Sequence, residues 1–140
     1  MIARKMKKII ILILAANPLI ESKAGFEDAI ITRHQNEFES VAMDIYDFAE
    51  VGYQEHESSD LLIKSLKSHG FDITSGVANI PTAFVAEYGS GYPTIAILGE
   101  YDALPGVSQS ASQYREHGNN IHAGHACGHH LFGAGSAWAA

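Results

Sequence analysis

An α/β layer architecture is what this sequence predicts, and three observations predict it. Apolar residues recur at helical spacing through the first half of the chain. Short strand-like runs bounded by glycine follow between residues 71 and 98. A glycine-rich string then leads into an apolar segment of helical composition at residues 131–140. The 140 residues suffice for one modest domain with a single core. A hydrophobic content of 46% and a charged content of 18% are those of a globular rather than a disordered chain.

The elements follow in chain order. Residues 26–50 read as an amphipathic helix. Phe38, Val41, Ile45 and Phe48 form its apolar stripe, and Glu37, Glu39, Asp44 and Asp47 take the other face. A second helix is predicted from Ser59 to His69, with Ser58, Ser59 and Asp60 as N-cap candidates, Leu62 and Leu66 as its stripe and Gly70 as its stop. Phe71-Asp72-Ile73 reads as a short strand. Ala83 to Tyr88 reads as a stronger one, ending at a Gly89-Ser90-Gly91 turn. Thr94 to Leu98 is apolar on both faces, as a central strand covered on two sides would be. Residues 106–123 lack periodicity and read as loop. Leu131 to Ala140 reads as a closely packed buried helix, with Tyr88, Tyr92 and Trp138 as packing groups. The chain stops inside that apolar helix and is expected to be a fragment.

The first 24 residues differ in kind. Arg4, Lys5, Lys7 and Lys8 precede an unbroken apolar run, Ile9 to Ala16, and Ser22-Lys23-Ala24 sets small residues where a signal peptidase reads. Residues 1–24 are therefore expected to be a signal peptide of an exported, periplasmic or secreted protein, leaving 25–140 as the mature part. The alternatives are a membrane anchor or a first buried strand. No stable membrane span is expected, because a span takes about 20 apolar residues. Cleavage after Ala24 leaves 4 basic against 15 acidic residues, a formal charge of −11. Nucleic acid is accordingly not an expected partner, since phosphate binding needs basic clusters. Cys127 is the single cysteine, which excludes an internal disulfide. In an oxidising compartment it should be buried, metal-bound or paired with another chain.

Two polar runs carry the chemistry. In Gly124-His125-Ala126-Cys127-Gly128-His129-His130 a thiol lies between imidazoles, the donor types that bind zinc-like cations. A helix would put His125 and His129 on one face and turn Cys127 away. A site shared by Cys127 and His129 instead needs an irregular loop bent at Gly128, with a helix starting near His129 or His130. The alternative is a buried cysteine with solvent-facing histidines. In the run Gly99 to Pro105, Glu100 and Asp102 stand at the end of an apolar segment, where α/β folds place ligands. Alternation directs both to one side and Tyr101 to the other. Such a pair can bind a metal, orient a ligating histidine or share a proton; the plainer alternative is a solvated loop start fixed by Pro105. His34, His56, His69, His117 and His122 read as surface residues, although His117 and His122 lie in the loop near the site.

The run from Gly99 to Pro105, continued by Gly106-Val107-Ser108-Gln109, resembles the first signature of the M20 metallopeptidase and amidohydrolase family, and Gly124 to His129 resembles its second. Ile80 to Ala86 and Gly89-Ser90-Gly91 also resemble its branch of aminobenzoyl-glutamate hydrolases and N-acyl amino acid amidohydrolases. The resemblance covers roughly Phe26 to Ala140. It implies the N-terminal portion of a metallo-exopeptidase-like α/β catalytic domain, without the inserted lid or dimerisation domain and without the C-terminal part. It implies two divalent metal ions in the intact enzyme (Zn, Mn or Co), a small-molecule amide substrate, and homo- or hetero-oligomeric relatives. Carried over residue by residue, Cys127 and His129 ligate metal and Asp102 supports the site from behind. Glu100 stands where other branches place a ligating histidine, and His130 where relatives usually have Asn or Asp. The family's general base belongs to an adjacent pair of glutamates, and this chain has no such pair.

The expected function is therefore part of a metal-dependent amidohydrolase or peptidase acting through metal-activated water. The 140 residues alone are expected to be non-catalytic, inert or a weak metal-binding module. A cysteine nucleophile at Cys127 is disfavoured, because a histidine two residues away cannot readily act as its oriented base.

Overall fold

A computed structural model describes residues 21–140, leaving aside the side chains of 21–24, 26 and 27. The expected signal segment thus lies outside the described residues, except for residues 21–24, which are helical. Among the described residues no helix is long and apolar enough to cross a membrane. The described residues divide into two units, 21–36 and 37–140. The described part of the first is helical, with the Thr32 hydroxyl donating to the Asp28 carbonyl at 2.8 Å. The second unit carries the core and the site.

Helix α1 spans Glu21–Phe48. Of its predicted stripe, Phe38, Val41 and Ile45 are buried, Ile45 completely so, and Phe48 is half-buried; Ala42 is buried beside them. The next residue, Ala49, closes the helix at φ 45°, a left-handed conformation uncommon outside glycine. Helix α2, His56–Ser68, buries Leu62 and Leu66. Val41, Ala42, Ile45, Leu62 and Ala134 form one apolar cluster, with Leu61, Phe84, Tyr101 and Ala137 packed around it.

The start of α2 corrects the sequence reading. It begins three residues before Ser59, and none of Ser58, Ser59 or Asp60 caps it. The cap is Glu50, whose carboxylate accepts from the backbone of Glu57 at 3.0 Å and of Ser58 at 2.8 Å, and from the Ser58 hydroxyl at 2.7 Å. A carboxylate at a helix N-terminus satisfies orphan N–H groups and complements the helix dipole. Glu50→Ala is therefore expected to cost about 1 kcal/mol, the usual magnitude for a lost N-cap, read as a lower urea midpoint. At the other end Gly70 adopts φ 89°. Its N–H donates to the Lys67 carbonyl and that of Phe71 to Leu66. That is the Schellman closure, and the predicted stop is correct.

Strands β1 (Asp72–Ser75) and β2 (Phe84–Glu87) pair antiparallel, with Ile73 opposite Ala86 and Thr74 opposite Val85. The stretch expected as a central strand, Thr94 to Leu98, forms none. Ile95 is 82% and Leu98 75% exposed. Apolarity on both faces does not make a strand without a hydrogen-bonding neighbour, and among the described residues its recorded tie is the Ser136 hydroxyl to the Leu98 carbonyl, 2.7 Å. Tyr92, expected to pack, is 99% exposed.

Beyond it the chain closes on itself. Ala103 forms a parallel bridge with Val51, its N–H donating to the Glu50 carbonyl at 2.7 Å. Strand β3 (Leu104–Pro105) then pairs antiparallel with β4 (Ala123–Gly124). This two-residue ribbon closes the predicted loop and brings the two polar runs side by side. Ala49, Ala103 and Ala123 form a second small core beneath it. Helix α3, His129–Ala139, follows. It is not the buried helix expected: His130, Gly133 and Ala134 are buried, but Leu131 is 62% exposed. Trp138 stacks on Phe38, ring centroids 5.6 Å apart.

Candidate metal centre

Helix α3 begins at His129 because Gly128 takes φ 78° and serves as its N-cap. The Gly128 N–H donates to the His125 carbonyl at 3.0 Å, and its own carbonyl accepts from Leu131 and Phe132. The string His125-Ala126-Cys127-Gly128 is thus a turn, and His129 stands in the first turn of the helix.

Two glycines let α3 lie close on the run 99–102. A Cβ on Gly133 would come within 2.9 Å of the Glu100 carbonyl oxygen and 3.0 Å of Tyr101 Cβ. One on Gly99 would come within 3.1 Å of Ser136 Cβ. This approach sets the His129 ring between two carboxylates. Asp102 Oδ1 lies 2.7 Å from His129 Nδ1, and Glu100 Oε2 lies 3.2 Å from Nε2. One ligand atom from each of Glu100, Asp102 and His129 lies within 4.8 Å of the others. With Nδ1–H donated to Asp102, Nε2 is left as a lone-pair donor beside Glu100.

Cys127 stands outside that group. It is exposed, so of the three expected states, buried, metal-bound or paired with another chain, burial is not what the structure shows. The structure therefore brings Glu100, Asp102 and His129 together and leaves Cys127 one residue ahead of the N-cap.

Behind this cluster lies an arrangement the sequence did not indicate. His125 and His130 are buried, their ring centroids 5.0 Å apart, and Tyr46 packs on both. His125 Nε2–H donates to the Ile45 carbonyl at 2.9 Å. The Nδ1 atoms of His125 and His130 have no hydrogen-bond partner among the described residues. Burial holds both imidazoles below the usual histidine pKa, the Ile45 carbonyl partly opposing this at His125 and the neighbouring His125 reinforcing it at His130. The available signal was weak, namely the pairing of two histidines with Tyr46 on the α1 face next to Ile45.

The pH consequence has a definite sign. Below about pH 6.5 the unfolded chain takes up protons at these positions that the folded chain resists. Stability contributed by His125 and His130 is thus flat above that pH and falls as pH drops through it. Urea midpoints at pH 7.5 and 5.5 are expected to separate in wild type and to separate less in His130→Leu, where His125 still contributes.

Tyr101, between Glu100 and Asp102 in sequence, was read only as the alternating residue. Its hydroxyl donates to the Thr82 carbonyl, and the Thr82 hydroxyl donates to buried Glu55 at 2.8 Å. Burial, with Glu55 and then Glu50 adding to it, pushes the Tyr101 phenol up to about 12. It is a permanent donor at physiological pH.

No family model matches the chain. Over 112 residues it is 42% identical to a p-aminobenzoyl-glutamate hydrolase polypeptide of Escherichia coli (strain K12), an overlap covering 77% of this chain and 23% of that protein. It is 30% identical over 87 residues to thermostable carboxypeptidase 1 of Saccharolobus solfataricus, covering 61% of this chain and 21% of the relative. It is 27% identical over 95 residues to the hippurate hydrolase of Campylobacter jejuni, covering 68% and 24%. The chain thus spans 21% to 24% of the length of these curated relatives. These similarities relate part of the chain to the M20-type amidohydrolases and peptidases.

Proposed function

We propose that this chain is the N-terminal part of a metal-dependent amidohydrolase that cleaves the amide bond of an N-acyl amino acid or an aminobenzoyl-glutamate-like substrate. The observation that carries the reading is His129 held between Asp102 and Glu100 in the run just before β3. It is supported by relatives named as hydrolases of p-aminobenzoyl-glutamate and hippurate.

The donor set fits a divalent cation. Asp102 accepts from Nδ1–H, which fixes the tautomer and turns Nε2 outward as a ligand. The 3.2 Å between Nε2 and Glu100 Oε2 suits two ligands of one ion, since bonds of about 2.1 Å at a tetrahedral angle set ligand atoms about 3.4 Å apart. Cys127 is the proposed thiolate ligand, and Zn, Mn and Co all accept such a mixed set. When bound, a divalent cation polarises an amide carbonyl and acidifies water. The proton shuttle is proposed to come from a glutamate outside these residues, because the chain has no adjacent glutamate pair. Export is proposed with it, supported by the basic and apolar runs of residues 4–16.

The test has two parts. Co2+ titrated into the 140-residue chain is expected to give a ligand-field absorption that His129→Ala removes. The longer protein is expected to hydrolyse p-aminobenzoyl-glutamate or hippurate and to stop when a chelator is added. Hydrolysis that survives chelation would sink the metal reading. A second reading concerns the 140 residues alone: a cluster of three donors with no base at hand supports cation binding without turnover. Amide hydrolysis by the purified 140-residue chain would overturn it.

A further inference from the structure

Glu100 and Asp102 can meet the two nitrogens of one ring only if the run 100–102 is held at one rotation about its axis. Among the described residues this run forms no strand, and little sheet holds it. The ladder contacts next to it are the single bridge from Ala103 to Val51 and the two-residue ribbon that follows. Tyr101, between the two carboxylates in sequence, supplies the missing constraint. Its ring stacks on Phe84 with centroids 6.1 Å apart, and its Cβ faces Gly133 of α3. Its hydroxyl reaches the Thr82 carbonyl. Thr82 is itself buried and tied through its hydroxyl to Glu55, a buried carboxylate at the start of α2. The chain of bonds runs from the front of the site to the rigid end of a helix.

We propose that Tyr101 is a positioning residue: the strut Tyr101–Thr82–Glu55 fixes the run 100–102 so that Asp102 and Glu100 face opposite nitrogens of His129. The strut acts on the carboxylates alone and touches neither a substrate nor a cation. It deepens the reading of this cluster as a cation site and rests on that reading only for its consequence in metal affinity. Free Glu55 would be a costly buried charge, so Thr82 is locked in place by the same bond that satisfies it. Tyr101→Phe keeps the ring and its stacking and removes the hydroxyl alone.

The closing experiment uses the whole chain, first in chelator. A downfield Nδ1–H proton signal from His129, assigned by its absence in His129→Gln, reports the bond to Asp102 without any metal. Tyr101→Phe is expected to lose most of that signal at a temperature well below its unfolding midpoint, with far-UV circular dichroism unchanged. Glu55→Gln, whose amide oxygen still accepts from Thr82, is expected to keep it, and Glu55→Leu to lose it. A merely destabilised variant would retain the signal in its folded molecules, so a full signal in Tyr101→Phe overturns the proposal. Co2+ titration is the second arm, where Tyr101→Phe is expected to bind about tenfold more weakly. Wild type that shows the His129 signal but binds no Co2+ defeats the cation reading while leaving the strut standing on the first arm.

Discussion

Asp102→Ala is expected to weaken Co2+ or Zn2+ binding by about 10- to 100-fold, the cost measured when the partner that orients a ligating histidine is removed. The reason is geometric. Asp102 Oδ1 is 2.7 Å from Nδ1, a short charge-assisted hydrogen bond that decides which nitrogen carries the proton. Without it the ring is free to place its proton on Nε2, which then points a hydrogen, not a lone pair, at the cation. The loss in stability should be small, because Asp102 is only partly buried and such pairs contribute little to folding. Asp102→Asn separates the two roles. Its amide oxygen still accepts from Nδ1–H, so most of the orientation remains and only the charge is gone. The expected order of affinity is wild type, then Asp102→Asn, then Asp102→Ala. Equal affinities for wild type and Asp102→Ala in a calorimetric titration would remove Asp102 from the site.

What the sequence made legible was whatever depends on neighbours a few residues apart. The stripe of Phe38, Val41 and Ile45 is such a case, because a helix face is set by its own spacing. The Gly70 stop is another, since a positive φ is a property of one residue. Alternation placed Glu100 and Asp102 on one side; residues 99–102 form no strand, yet carboxylate oxygens of both lie within 3.2 Å of the His129 ring. What stayed hidden depends on partners distant in the chain. Glu50 caps α2 from 7 and 8 residues away, and no local pattern distinguishes it from any acidic residue on a helix end. Tyr101 reaches Thr82 across 19 residues, and Thr82 reaches Glu55 across 27. The run Thr94 to Leu98 failed for the same reason in reverse. Its apolarity states what could cover it, whereas strand formation depends on a neighbour that local sequence does not specify. Cys127 drew attention by its residue type, but a thiol's place is set by the turn at Gly128 rather than by its flanking histidines.

Among the described glycines, Gly124 is expected to tolerate alanine least. A Cβ at this position would lie 2.2 Å from the Val107 carbonyl oxygen and 3.0 Å from its carbon, both backbone atoms that no rotamer change can move aside. Gly124 does not need glycine for its own φ; it needs glycine because two backbone segments pass within contact distance. Relief requires opening the ribbon in which Leu104 pairs with Gly124 and Pro105 with Ala123. That would also loosen the bond from the Gly106 N–H to the His122 carbonyl and expose the small core of Ala49, Ala103 and Ala123. Overpacking of this kind costs about 3 kcal/mol or more, a large share of the stability of a domain this size. The ribbon is also what carries the Glu100 run to the His129 run, so the two losses should be coupled. Chemical denaturation should show a lowered midpoint, and Co2+ affinity should fall in molecules that remain folded. Gly135→Ala is the control, because a Cβ there meets nothing within 4 Å and alanine favours the helix. If Gly124→Ala unfolds at the wild-type midpoint and binds Co2+ as wild type does, the ribbon does not hold the two runs together.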